Sequence, residues 1–273
     1  MYRKTFLIAV ILLSAAALLI GCSKGKKDRV IIKGSTTVLP ITQKAAEEYR
    51  KINKVSITIE GSGSGNGIKA LIDGSADIAN SSRSMKDEEK KAASENGIKV
   101  KEIKAAYDMI VPVVNPANRV AGLTVAQLNA IYDGSISNWK EIGGADGAIV
   151  VISRDTSSGT YEVWHEKVMK KTDVRKDALL QASNGAIVST VSENPRAIGY
   201  VGFGYVSPKI KALKVNGVQP TIENGKSGRF PLSRELYMYV NENKLSDNAK
   251  KFIDYILSKE GQKLVKEDGF IPL

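Results

Sequence analysis

YDMIVPVVNP, residues 107–116, is the stretch whose reading decides the fold. It is almost continuously apolar and rich in β-branched residues, the composition of a strand buried on both faces. A second long apolar strand is written at RELYMYVN, residues 234–241. Between them lies a complete alternation of elements: a helix at 124–132, a strand AIVVIS at 148–153, a helix from about Thr160, a helix near 185–191 and a strand IGYVG at 198–202. LKVNGVQPTI (213–222) reads as a hairpin or a pair of loops. The chain before residue 107 alternates in the same way. It has strands VIIKG (30–34), VSITIE (55–60), ADIAN (76–80) and IKVKEI (98–103). The helices between them are one opened by Pro40 with Ile41, Ala45 and Tyr49 at helical spacing, one around 68–72, and one at 84–97 started by Ser84 and stopped by Gly97. The C-terminal KLSDNAKKFIDYILSKEGQKLVKEDG (244–269) reads as two helices broken at Gly261, with Phe252, Ile253 and Ile256 as the apolar stripe. Alternating strands and helices imply an α/β fold with open, mostly parallel sheets. On pattern alone two arrangements remain: two lobes joined by the long strands 107–116 and 234–241, with the middle segment inserted in the first lobe, or a single doubly wound domain.

Composition bounds the function classes. With 273 residues and 42% hydrophobic content the chain can bury an ordinary core without disulfides or metals. MYRKTFLIAVILLSAAALLIGC has a basic start, Arg3 and Lys4, and an apolar run from Phe6 to Ile20. That run is short of the roughly 20 residues a spanning helix needs, so it reads as a secretory signal over 1–22. LLIGC at 18–22 resembles a bacterial lipobox, in which Cys22, the only cysteine, would carry the lipid; residues 23–29 would then be a flexible linker. The body of the protein is therefore expected outside the cytoplasm on a membrane tether. The net charge of +11 becomes +9 once Arg3 and Lys4 are removed. Its lysines are dispersed and aromatics are only 6%, so nucleic acid is not indicated, although a positive field would speed the arrival of a small anion.

Three stretches share one design, a strand, a glycine- and hydroxyl-rich turn, and a helix start: GSTTVLP (34–40), GSGSGNG (61–67) and SRDTSSGT (153–160). Such turns leave backbone N–H groups unpaired at the positive end of a helix, and Ser and Thr hydroxyls add donors that rotate to suit a ligand. An anion is stabilised there. Three such turns in one chain have more weight than one, because the strand ends of an open sheet face a common crevice. GSGSGNGIK fits neither the Walker pattern, since Ile68 separates Gly67 from Lys69, nor G-x-G-x-x-G, so nucleotide readings drop out.

SRDTSSGT poses a choice between a nucleophile and an anion socket. A serine nucleophile needs a base in hydrogen-bond reach. The only histidine, His165, would lie about 10 Å from Ser158 along a helix at 1.5 Å per residue. One histidine and one cysteine make no zinc site. A socket is favoured. Arg154 offers a planar fork for two oxygens of a tetrahedral anion, and Ser157, Ser158, Gly159 and Thr160 offer N–H and O–H donors. Trp139 and Trp164 read as packing residues.

GSTTVLP, GSGSGNGIKAL, ADIANSSRSM, YDMIVPVVNP, IYDGSISNW, SRDTSSGT and IGYVGFGY occur in this order and span essentially the whole mature chain. Together they resemble the phosphate-binding lipoprotein of the bacterial and archaeal ABC phosphate importer. That resemblance implies a two-lobed periplasmic-binding-protein fold of type II, with two mixed sheets flanked by helices and two inter-lobe crossings. Lobe 1 would hold 30–110 and 232–273, and lobe 2 would hold 111–231. It implies no catalysis, no cofactor and no metal, inorganic phosphate as ligand, an ABC permease as partner, and a monomer. Carried over by position, the ligand would be held by Thr36, Thr37 and Val38 in the first turn and Ser64, with Ser62, in the second. The third turn would supply Arg154, Ser158, Gly159 and Thr160. Ser82 falls where some members of the family place an aspartate that accepts the ligand's proton, with Arg83 beside it. Asp155 is a substitute acceptor. Binding of another tetrahedral oxyanion (sulfate, molybdate or tungstate) and a secreted serine-dependent phosphatase are the rival readings.

Overall fold

The computed structural model describes residues 29–273; the expected signal, Cys22 and all but the last residue of the linker lie outside them. The first half of the chain runs β1 (Arg29–Gly34), α1 (Leu39–Ile52), β2 (Ser56–Gly61), α2 (Ser64–Ile72), β3 (Ile78–Ser81), α3 (Asp87–Glu95) and β4 (Val100–Val114). The middle runs β5 (Gly122–Leu123), α4 (Val125–Asp133), β6 (Val150–Arg154), α5 (Gly159–Lys167), β7 (Leu179–Gln181), α6 (Asn184–Glu193), β8 (Ala197–Gly202), β9 (Lys211–Ala212) and β10 (Lys214–Val215). It closes with α7 (Ile222–Lys226), β11 (Ser233–Asn241), α8 (Asp247–Leu257) and α9 (Lys259–Glu267).

β4 decides the architecture. The segments expected as separate strands at 98–103 and 107–116 are one 15-residue strand. Its first part, from Val100 to Met109, pairs antiparallel with β11, and its second, from Ile110 to Val114, pairs antiparallel with β8. The sheet order β2-β1-β3-β11-β4-β8-β6-β7 is therefore hydrogen-bonded without a break, and the two mixed sheets expected are two halves of one curled sheet that share β4. β1 pairs parallel with β2 and β3, and β6 pairs parallel with β7 and β8; the long crossing strands introduce the antiparallel ladders. A register shift between Leu236 and Tyr237 interrupts the β11–β4 ladder, as a bulge does.

The apolar side chains divide accordingly. One cluster joins Val30, Ile32 and Ile41 to Leu236, Phe252 and Ile256. A small one around Ile68, Leu71 and Tyr239 lies in the same half. The other large cluster joins residues from Met109 to Leu232 with Ile271 and holds Trp139, Trp164, Ile152 and Ile198. Trp164 stacks on Tyr200 at 4.1 Å between ring centres, and Trp139 donates to Arg196 O, so both tryptophans are packing residues.

Two helix boundaries differ from the sequence expectation, and the hairpin reading of 213–222 agrees with it. The C-terminal helices break at Ser258, which caps α9 by accepting from Gly261 N; Gly261 is inside α9 because its missing side chain lets the carbonyls of Tyr255 and Ile256 approach. α3 starts at Asp87 rather than Ser84, because Glu89 reaches back to accept from Lys86 N. Within 213–222 the tight turn is Asn216-Gly217, both at positive φ, with Val215 bridged to Val218.

Candidate functional site

Each of the three turns is built by its own local bonds. Gly34 ends β1 at φ +132 because a side chain there would meet Asn80 O. Ser35 Oγ then accepts from Thr37 N at 3.1 Å and faces Val38 N at 3.4 Å, and α1 starts at Leu39. In the second turn Ser62 N and Gly63 N both donate to Gly34 O, which sets the first residues of α2 beside the first turn. In the third, Asp155 Oδ1 accepts from Ser157 N at 2.9 Å and from Ser157 Oγ, and Ser158 Oγ caps α5 by accepting from Thr160 N and Tyr161 N.

The fold brings these turns onto one another across the two halves. Thr37 Oγ1 and Thr160 Oγ1 are 3.0 Å apart, although 123 residues separate them. Ser82 N donates to Ser64 Oγ at 3.1 Å, and the two serine hydroxyls are 3.3 Å apart. Gly159 is pressed against that pair: a β-carbon there would strike Ser64 Oγ and lie 2.8 Å from Ser82 Oγ. Gly65 N donates to Ser157 O at 3.1 Å and Tyr205 Oη to Thr36 O at 2.6 Å, so the halves are closed together. Thr36, Thr37, Val38, Ser64, Ser82, Arg154, Ser158, Gly159 and Thr160 are all buried.

Arg154 is 1% exposed, and no acidic side chain is paired with it among the described residues. Its Nε donates to Gln181 O and its Nη2 to Ala182 O, both at 2.9 Å, while Nη1 is buried with no partner in the protein. Burial pulls its pKa down from the usual guanidinium value; an arginine nonetheless keeps its proton. The cluster therefore holds a positive charge with no ion-pair partner among the described residues, Asp155 acting on it only through space, together with a cationic N–H free to donate.

The remaining predicted residues are at the edge or directed elsewhere. Ser62 and Ser157 meet at the rim, with Ser157 Oγ 3.5 Å from Ser62 O. Asp155 is occupied by Ser157 rather than by Arg154. Arg83 forms a two-pronged pair with Glu89, both bonds 2.7 Å, and so faces α3.

Sequence reasoning missed Asp108, Asn184 and Arg234. Asp108 Oδ2 accepts from Arg234 Nε at 2.9 Å and Nη2 at 2.7 Å, and its Oδ1 accepts from Phe203 N. Arg234 also reaches Thr160 Oγ1, Thr37 Oγ1 and Ser82 O, so it touches hydroxyls from both halves. Asn184, at the start of α6, donates to both Thr36 Oγ1 and Thr37 Oγ1 at 3.1 Å. A signal existed for the ion pair: each long apolar strand, 107–116 and 234–241, carries a charge at its N-terminal end, and buried charges need partners. Beside Arg234 a cleft of about 680 Å³ is lined by Lys86, Glu162, His165 and Lys167.

The family model described as a PBP superfamily domain matches residues 23–260. The chain belongs to the PBP superfamily. The phosphate-binding protein PstS of Borreliella burgdorferi is 34% identical over 281 residues, 98% of each chain. The PstS of Staphylococcus saprophyticus is 38% identical over 254 residues, 88% of this chain and 79% of that one. Among solved structures, a Clostridium perfringens chain described as a phosphate ABC transporter substrate-binding protein with bound phosphate superimposes with a TM-score of 0.85 at 39% identity, covering 90% of this chain and 99% of that one. The phosphate transport receptor of Vibrio cholerae follows at 0.73 and 33%, covering 89% and 100%. The two-lobed α/β fold expected from the sequence is thus the fold of this PBP-superfamily chain.

Proposed function

We propose that this protein is an extracytoplasmic phosphate-binding protein that delivers phosphate to an ABC permease. The observation that carries this reading is the buried pocket of hydroxyls and helix-start N–H groups closed from both lobes around Arg154, whose Nη1 has no partner in the protein. A tetrahedral oxyanion supplies the acceptors that such a donor set needs, in a site where hydrogen bonds compete with little water. The ligands would be Thr36, Thr37, Val38, Ser64, Ser82, Arg154, Ser158, Gly159 and Thr160, with Ser62 and Ser157 closing the rim. The names of the relatives support phosphate over other oxyanions. The bonds of Ser158 do not support a phosphatase: its Oγ accepts two backbone N–H groups, and among the described residues no carboxylate or imidazole hydrogen-bonds it.

We place lobe 1 at 30–110 and 232–273 and lobe 2 at 111–231, in keeping with the division of the apolar clusters. Lipidation at Cys22 would hold a monomer at the outer face of the membrane; Cys22→Ala should release the protein to the medium, and an unchanged membrane fraction would count against the anchor. Calorimetric titration of phosphate-free protein with phosphate, sulfate, molybdate and tungstate tests the function. Tight binding of phosphate alone is expected; equal or tighter binding of sulfate would overturn the assignment.

A further inference from the structure

Arg234 and Asn184 surround the pocket without having a donor to spare for its ligand. Arg234 has five N–H donors, and all five are used: Nε and Nη2 on Asp108 Oδ2, Nη2 also on Thr37 Oγ1 at 3.4 Å, and Nη1 on Thr160 Oγ1 at 3.0 Å and Ser82 O at 3.3 Å. Asn184 spends both amide hydrogens on Thr36 Oγ1 and Thr37 Oγ1, and Gly202 N, donating to its Oδ1 at 3.0 Å, fixes which way the amide points.

The consequence lies in the direction of the hydroxyls. A hydroxyl oxygen has two lone pairs and one hydrogen. Thr37 Oγ1 accepts from Asn184 and from Arg234, so both lone pairs are filled and its hydrogen has to donate. Thr160 Oγ1, 3.0 Å away, accepts from Arg234 Nη1 and can accept from Thr37, which turns its own hydrogen outward. Ser158 Oγ accepts from two backbone N–H groups and is likewise left only its hydrogen to give. Among the pocket hydroxyls of Thr36, Thr37, Ser64, Ser82, Ser158 and Thr160, only Ser82 Oγ receives no N–H.

We propose that Arg234, held by Asp108, and Asn184 are positioning residues that lock Thr37 and Thr160 as donors, so that the pocket selects phosphate carrying a single proton, the dianion. This rests on the phosphate reading of the same site. One P–OH finds an acceptor at Ser82; a second placed against Thr37, Thr160 or Ser158 would meet hydroxyls that can only donate, and an unpaired buried polar group is costly. The singly protonated form loses a factor of about ten in population for each pH unit below phosphate's second ionisation, and wild-type affinity is expected to follow it.

The other charged or titratable groups packed around these residues are Asp108 on β4, Arg154 on β6, Tyr200 on β8, Tyr205 after it, Asp155 in the third turn, and the Arg83–Glu89 and Lys86–Glu162 pairs. Lys167 and Glu235 line the cleft with His165, which stacks on Tyr161. Burial pushes both Tyr200 and Tyr205 up to about 12, which keeps them neutral throughout. His165→Gln serves as the control for the remaining histidine.

The test is phosphate calorimetry from about one pH unit below that ionisation to one above, with unliganded melting curves to establish folding. The proteins are wild type, His165→Gln, Asn184→Ala, and the double variant Asp108→Asn with Arg234→Met, which removes both charges of the buried pair together. Wild type and His165→Gln should weaken about tenfold from the alkaline to the acid end of this range. Asn184→Ala and the double variant should bind at least tenfold more weakly at the alkaline end and show a flattened slope, because freed hydroxyls can turn to accept a second P–OH. A wild-type affinity independent of pH, a slope abolished by His165→Gln, or folded variants that keep the wild-type slope would each overturn the proposal while leaving phosphate binding intact. Failure of the wild type to bind phosphate at any pH would overturn the functional reading, and this inference with it.

Discussion

At the residue scale the two arginines of the pocket are distinguished by what their nitrogens have left to do. Arg154 retains an unpaired Nη1 and has no ion-pair partner among the described residues, so it is assigned direct contact with the ligand. Arg154→Ala is expected to lower phosphate affinity by about 3 kcal/mol or more, roughly two orders of magnitude; a change below threefold by calorimetry would contradict the assignment. Gly159 has a different role. It is small because Ser64 and Ser82 of the opposite lobe abut it. Gly159→Ala should hold the lobes apart and weaken phosphate by about tenfold or more while the unliganded melting temperature stays near that of the wild type, since neither lobe's interior is disturbed. Arg154 and the SSGT run were legible in the sequence because they sit in a recognisable turn before a helix. Asn184 was not, since an asparagine opening an ordinary helix has no mark of the threonines it meets from residues 148 and 147 positions away.

At the element scale, the helix starts are the parts assigned to the ligand, and their caps are local. Ser158, Ser183, Ser246 and Ser258 each accept from the first turn of the helix they precede. Gly261 shows how a local cue can mislead. A glycine after a long helical pattern usually marks its end, yet here it is inside α9 because the preceding helix, α8, folds back so closely that its last carbonyls occupy the space of a side chain. Gly261→Ala should therefore destabilise the protein by about 1–3 kcal/mol in urea unfolding, the range for an overpacked contact, although alanine favours helix. A stabilised variant would show that α8 and α9 can separate freely. Ser158→Ala should lose about 1 kcal/mol of stability as a cap and also weaken phosphate, whereas Ser258→Ala should lose only the stability.

At the scale of the whole molecule, the ligand and the closed arrangement are coupled. Contacts such as Gly65 N to Ser157 O and the Lys86–Glu162 pair at 2.7 Å join the lobes directly. The ion pair is partly exposed and contributes at most about 1 kcal/mol, so closure depends chiefly on the buried pocket. Phosphate at about 100 times its dissociation constant should add about 2.7 kcal/mol of stability and raise the melting temperature by roughly 5–10 °C; the same concentration of sulfate should raise it much less, and equal shifts would deny selectivity. With a net charge of +11 spread along the sequence, phosphate association should slow as ionic strength rises. Stopped-flow rates that do not change with salt would remove steering from the account.

The sequence by itself determined the alternation of strands and helices, the three hydroxyl-rich helix starts and the arginine proposed to face their ligand. Each of these is encoded within a few consecutive residues, where periodicity, caps and turn chemistry act. Only the tertiary structure decided that residues 100–114 form one strand serving both halves of the sheet, that Arg83 turns to Glu89, and that Asp108, Arg234 and Asn184 organise the threonines. Those outcomes depend on pairing between groups distant in the chain, which local preference does not specify: a buried charge or hydroxyl takes whichever partner the closed lobes bring within hydrogen-bond reach.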